Sequence, residues 1–227
     1  MNWTLSPATV FATSPVVPVM VIDDLAHAVP GALLVANHVS WIDIFVINAA
    51  LPAAFVSKEE VRHWPLIGWL AARNDTVFLR RGSRGHARLI NAQVAELLGK
   101  GKHVAVFPEG TTTDGLSLLH FHAALIQPAL AAGRPVLPVA LSYWQENGDR
   151  CMAPRYDGDI SLGECTAAIL RRKRIVARLV SKPLLGMNGE DRKLVAALAR
   201  EAIAEGAGLP RANNLPGTAG DLPDAGR

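Results

Sequence analysis

Two short segments of this chain bring together residue types that can do chemistry. The first is Asn37-His38-Val39-Ser40-Trp41-Ile42-Asp43, a histidine followed five positions later by an acid. If the acid opens a helix and the histidine lies in the loop before it, the imidazole can turn back onto the carboxylate. The acid would fix the ring tautomer and stabilise an imidazolium, leaving the second nitrogen to accept a proton. A helix-capping acid beside an ordinary loop histidine explains the same two residues, so the pair alone does not decide. The second segment, residues 107–115, reads FPEGTTTDG. Its small residues and hydroxyls allow close backbone approach and several hydrogen bonds to a polar ligand, and Glu109 offers a directional acceptor for a hydroxyl. A tight polar turn leaving through Asp114 and Gly115 is the competing account.

Two further segments are weaker. Arg80 and Arg81 follow an apolar run and suit bidentate binding of phosphate or carboxylate. Pro138 interrupts the apolar run VLPVA and implies a sheet edge or a bulge.

These residues need elements to hold them. Residues 32–36, ALLVA, form a short buried strand that delivers Asn37 and His38. Ser40 can cap a helix over the following residues, with Asp43 at its third position. Residues 103–107, HVAVF, make a strand that delivers Pro108 and Glu109, and residues 76–80 make one that ends on Arg80. Further strands are expected at residues 16–22, 54–57, 135–142 and 174–180. Helices are expected near residues 64–72, at 86–98, 121–132 and 190–205. Strands alternating with helices predict an α/β fold: a single-domain sandwich whose mixed, mostly parallel central sheet is flanked by helices. Sites in such sheets lie at the carboxyl ends of the strands. The domain is expected over residues 1–206. Residues 207–227, rich in Gly, Pro, Asn and Asp, are expected to be a disordered tail.

Composition agrees with a packed domain and narrows the partners. Of 227 residues, 50% are hydrophobic and 19% charged, which excludes a disordered chain. A net charge of +3 gives little reason to expect nucleic acid. Two local clusters, Arg80/Arg81/Arg84 and Arg171/Arg172/Lys173/Arg174, suit phosphate, anionic lipid or an acidic carrier, or simply a solvated surface. Cys151 and Cys165 fit neither a metal site nor a disulfide framework and suggest a reducing compartment. There is no apolar run of membrane-spanning length and no signal-peptide pattern. A protein of this kind that works on lipid is expected to lie on the membrane, with Trp41, Trp64, Trp69 and Leu70 as candidate contacts.

In order and spacing the four segments together resemble the lysophospholipid (1-acylglycerol-3-phosphate-type) acyltransferases of the glycerolipid acyltransferase superfamily. The family's NHxxxxD block is matched by Asn37, His38 and Asp43, and its phosphate-binding arginine best by Arg81. Its FPEGT block is matched in full by Phe107, Pro108, Glu109, Gly110 and Thr111. Its VPV-like strand is matched loosely by Pro138, Val139 and Ala140. The resemblance implies that His38 is a general base oriented by Asp43 and that Arg80, Arg81, Glu109, Gly110 and Thr111 hold the substrate. It places Pro138 with the acyl donor. The donor would be acyl-CoA or acyl carrier protein, with no other cofactor and no metal. The acceptor would be a lysolipid hydroxyl, attacking the thioester directly, in keeping with the lack of a GxSxG nucleophile signature. A peripheral position on the cytoplasmic face of the inner membrane goes with that chemistry. A transacylase or lipid hydrolase, or a non-enzymatic lipid-binding protein on the same fold, stands as the alternative. Two departures bear on the acceptor. Thr112 stands where many members that acylate lysophosphatidic acid carry arginine, and Asp75 stands where the second block often opens with glycine. FPEGTTTDG looks more like the branch that acylates lyso-ornithine lipid, and the resemblance leaves the acceptor open between that lipid and lysophosphatidic acid (1-acylglycerol-3-phosphate).

Overall fold

In a computed structural model of the chain, the described residues are 10–11, 19–58, 77–79 and 84–210. They form one eight-stranded sheet: β1 (Val10–Phe11), β2 (Val19–Asp24), β3 (Leu33–Ala36), β4 (Ala53–Lys58), β5 (Val77–Leu79), β6 (His103–Val106), β7 (Val136–Trp144) and β8 (Ile175–Ser181). The order across the sheet is β1-β2-β8-β7-β3-β6-β4-β5. Only β1–β2 and β7–β8 pair antiparallel; the other neighbours are parallel. The mixed, mostly parallel sheet read from the alternation of elements is therefore the one observed.

β3 shows why so short a strand forms here. All four residues of LLVA are buried. Leu34 and Ala36 face one layer, while Leu33 and Val35 face the other. A strand covered on both faces needs continuous apolar sequence, not alternation. One layer holds α1 (Asp43–Ala50) and α4 (Leu162–Leu170). The other holds α2 (Arg84–Gly99), α3 (Gln127–Ala131) and α5 (Arg192–Ala207).

Several elements differ from the sequence expectation for physical reasons. The helix expected over 121–132 is a 3₁₀ turn at Ala123–Leu125 followed by α3. Pro128 lacks an N–H and crowds the carbonyl four residues back, so the helix restarts with proline in its first turn. α4 was not anticipated, although Ser161 and Glu164 form a reciprocal capping box at its start. α5 runs to Ala207 and stops at Gly208, whose φ of 68° is left-handed. β7 is an interior strand, so Pro138 does not mark an edge. Its carbonyl accepts from Lys182 N at 2.9 Å, just past the last paired residue of β8, Ser181. From the Val139–Ser181 pair to the Val136–Leu185 bridge, β7 advances three residues and its partner four. A bulge thus lies opposite Pro138, where a missing N–H breaks no regular ladder bond. The helix expected near residues 64–72 and the tail from residue 211 lie outside the described residues.

Candidate active site

The carboxyl ends of β3, β6 and β7 meet at one end of the sheet, and the predicted residues converge there. β3 pairs with β7 as far as Ala36–Val139. Beyond that point the Asn37 side chain takes over from the backbone. Its amide donates to Leu141 O at 3.0 Å, and its oxygen accepts from Leu141 N at 2.8 Å. Asn37 is buried, and this two-way bond fixes where the chain leaves the sheet.

His38 follows. Its Nδ1 lies 2.8 Å from Asp43 Oδ2. A carboxylate only accepts, so this contact puts the proton on Nδ1 and leaves Nε2 with its lone pair. No described residue bonds to Nε2. The imidazole stacks on Phe107, with ring centroids 4.0 Å apart and planes 10° apart. The His38 side chain is 21% exposed, while that of Asp43 is fully buried. The base therefore reaches solvent and its partner does not.

Asp43 is the first residue of α1, and its bonding reverses the expected capping. Ser40 does not cap the helix; the N-cap is Ile42 and it makes no side-chain bond. Instead the Asp43 carboxylate reaches back, and Oδ2 accepts from Val39 N at 2.7 Å and Ser40 N at 3.0 Å. Those donors, with His38 Nδ1, use one oxygen. The other accepts from the Tyr143 hydroxyl at 2.6 Å. Tyr143 is buried, and burial, with the Asp43 charge adding to it, pushes its phenol well above the usual value. It stays protonated and donates. Tyr143 was not singled out from sequence. The available signal was a hydroxyl-bearing residue on the same face of β7 as Leu137, Val139 and Leu141, at the end where the site lies.

Glu109, read from sequence as an acceptor for a substrate hydroxyl, accepts from the backbone. It is 4% exposed, and both oxygens are taken by the backbone: Oε1 by His38 N at 2.9 Å and Oε2 by Leu119 N at 2.8 Å. It ties the His38 loop to the loop before α3. Burial raises its pKa, and those two N–H donors offset part of the rise. Gly110 turns at φ 73°, and an added Cβ would lie 3.4 Å from the His122 ring. Thr111 is exposed beside it. Thr112 donates to Tyr156 O, and Tyr156 N in turn donates to Val39 O at 3.0 Å. Thr113 N closes the loop onto His38 O at 2.9 Å.

His38, Asp43, Glu109, Gly110 and Thr111 are thus brought together. Pro138 is not among them. It is buried within β7, pairs with Val35, and precedes Tyr143 by five positions. By strand alternation it faces the layer opposite Tyr143. Arg80, Arg81, Asp75, Trp64, Trp69 and Leu70 lie outside the described residues. Trp41 packs against the core, edge-on to Phe45. The thiol nearest the site, Cys165, is buried, and that burial raises its pKa, so it offers no thiolate nucleophile.

Comparison with known proteins gives one consistent neighbourhood. Residues 15–142 match the family described as Acyltransferase. A 1-acyl-sn-glycerol-3-phosphate acyltransferase of Neisseria meningitidis is 44% identical over 66% of this chain and 58% of its own. A lyso-ornithine lipid O-acyltransferase of Pseudomonas aeruginosa is 45% identical over 75% of this chain and 66% of its own. The chain thus spans somewhat under two thirds of the length of these relatives. The crystal structure of the 1-acyl-sn-glycerophosphate acyltransferase of Thermotoga maritima superposes with a TM-score of 0.56 at 26% identity. It covers 82% of this chain and 71% of that one.

Proposed function

This chain belongs to the acyltransferase family, and from that premise we propose that it transfers a fatty acyl group from a thioester to the free hydroxyl of a lysolipid. The observation that carries the reading is the His38–Asp43 pair, 2.8 Å apart, with Nε2 unbonded among the described residues and the base open to solvent. An acceptor hydroxyl bonded to Nε2 gives up its proton there as its oxygen attacks the thioester carbonyl. The C–S bond breaks, and the imidazolium returns the proton to the departing thiolate. Asp43 stabilises the imidazolium in between. The donor is acyl-CoA or acyl carrier protein, and no acyl-enzyme forms.

Charges beside Thr112 favour lyso-ornithine lipid over lysophosphatidic acid as acceptor. Thr112 spends its hydroxyl on Tyr156 O, so the FPEGT loop presents no cation at this position. The adjacent Arg155 is held by both oxygens of Asp157, at 2.7 and 3.0 Å, and feels Asp114 as well. Among the described residues, one guanidinium against two carboxylates fits a zwitterionic head better than a phosphomonoester. No helix among the described residues is long and apolar enough to cross a membrane. We place the protein peripherally, on the cytoplasmic face of the inner membrane.

The test is direct. Purified protein is offered acyl-CoA or acylated carrier protein with each lysolipid, and diacyl product is followed. Transfer to lyso-ornithine lipid at the higher kcat/KM is expected. Free fatty acid released without an acceptor would establish a hydrolase instead, and no turnover with either donor would leave a binding protein.

A further inference from the structure

Residues 170–174 take no part in the chemistry above, yet they stand at the same end of the sheet. β8 runs antiparallel to β7, and Val176 pairs with Trp144. The residues before Val176 therefore lie beyond the carboxyl end of β7, past Tyr143. α4 fastens this loop to the layer that carries the site. Its Cys165 Sγ is 4.0 Å from Ser40 Oγ, and Ile169 is buried in the core shared with α1. Leu170 comes five residues after Cys165, about 7–8 Å further along the helix axis.

Leu170 is 53% exposed. Arg171, Arg172, Lys173 and Arg174 follow without interruption, and all four are exposed. Arg174 pairs with Glu146 at 2.7 Å across a shallow depression. Arg171, Arg172 and Lys173 have no ion-pair partner among the described residues. Other large apolar side chains are exposed at this end too. Phe45 follows Asp43 in the first turn of α1. Leu116 and Leu119 lie in the loop that Thr113 closes onto His38.

We propose that residues 170–174 are a docking element that seats the reactive end of the sheet on a membrane rich in anionic phospholipid. Three cations, unpaired among the described residues, match such a surface in charge, and each contributes roughly fivefold to binding there. An acidic carrier protein would match the charge equally. Exposed Leu170, Phe45, Leu116 and Leu119 around the same end favour the bilayer, whose acyl region takes isolated apolar side chains that a charged protein face does not. The inference rests on the lysolipid reading above, since a bilayer-resident acceptor must reach His38 from this side.

Sedimentation with vesicles of phosphatidylcholine, alone or mixed with phosphatidylglycerol, tests it on the full chain. The wild type should bind the mixed vesicles, with an affinity that falls as salt rises. The triple variant R171Q/R172Q/K173Q should lose about 100-fold. The matched control K100Q/R192Q/K193Q, at the far end of the sheet, should bind as wild type does. Leu170→Ser should weaken binding to the mixed vesicles without changing its salt dependence. Wild-type binding by the R171Q/R172Q/K173Q variant, or equal binding to neutral and mixed vesicles, overturns the proposal. So does a variant that keeps vesicle binding but loses rate only with a carrier-protein donor, which would assign the loop to the carrier. Acyl transfer in neutral detergent micelles separates the two readings. A triple variant with wild-type rate in micelles and none on vesicles supports docking. A wild type that binds mixed vesicles through this loop yet transfers no acyl group leaves docking standing and sinks the lysolipid reading.

Discussion

The Tyr143 hydroxyl and the Asp43 carboxylate lie 2.6 Å apart, both buried, from elements a hundred residues apart in sequence. This bond makes the third strand-end of the site part of the base assembly. β3 delivers His38, β6 delivers the Phe107 ring beneath it, and β7 delivers the donor that fixes the far oxygen of Asp43. A phenol held protonated by burial can donate without competing for the charge that Asp43 offers His38. Tyr143→Phe keeps the ring and removes only that donor. A charge-assisted bond of this kind contributes roughly 1.5–3 kcal/mol. Stability should fall by about that amount in urea unfolding. kcat should fall by up to about 100-fold as Asp43 loses the position from which it orients His38. KM for the acceptor should barely move, because Tyr143 does not touch substrate. A KM effect with unchanged kcat would contradict this positioning role.

His38→Ala removes the base and leaves Asp43 with the Val39, Ser40 and Tyr143 donors. The fold should survive, with an unchanged circular dichroism spectrum, while kcat falls by about 10²–10⁴. Asp43→Asn is the harsher change. An amide oriented to receive the Tyr143 hydroxyl at its oxygen turns its NH₂ toward three donors at the Oδ2 position. Activity and thermal midpoint should therefore drop together. Full activity in either variant would remove the mechanism.

The site was legible to different depths, for reasons that lie in how each residue is held. His38, Asp43 and the 107–115 loop could be read because they sit at fixed spacing just past short apolar strands. Strands buried on both faces are hard to mistake when they end in polar residues. Tyr143 could not be read the same way: on a strand buried on both faces an aromatic looks like core, and its partner lies far away in sequence. Glu109 was legible as an acceptor, but nothing local revealed that the backbone of residues 38 and 119 would occupy both oxygens. Ser40 looked like a cap because caps are assigned by residue type; Asp43 supplied the acceptor instead. α4 went unread because SLGECTAAIL is short and carries Gly163, leaving only the Ser161–Glu164 box to announce it.

Glu109 gives a pH signature. Its folded-state pKa is raised by burial above the ordinary 4.5. The folded protein therefore holds this proton more tightly than the unfolded chain. The contribution is favourable when Glu109 is protonated. It is lost as pH rises from about the ordinary value through the raised one. The wild-type urea midpoint should carry this downward component across the mildly acidic range. Glu109→Gln should lack it, and should also lose an acceptor to the His38 or Leu119 N–H, costing about 1–3 kcal/mol at neutral pH. Parallel midpoint-versus-pH curves for the two proteins would refute this account of Glu109.

Thr112 tests the acceptor. Its hydroxyl holds Tyr156 O, and through Tyr156 N the 154–157 segment is tied to Val39 beside the base. Thr112→Val should loosen that segment and lower kcat/KM for both acceptors alike, since it alters no charge. Thr112→Arg also breaks the tie, but adds a guanidinium facing the region where Asp114 and Asp157 outnumber Arg155. A new charge-assisted bond to a phosphomonoester contributes roughly 1.5–3 kcal/mol, or about 10- to 100-fold. The ratio of kcat/KM for lysophosphatidic acid over lyso-ornithine lipid should therefore rise by up to that factor relative to Thr112→Val, even if both absolute rates drop. An unchanged ratio would mean that the head group does not sit against this loop, and the preference for a zwitterionic acceptor would lose its structural basis.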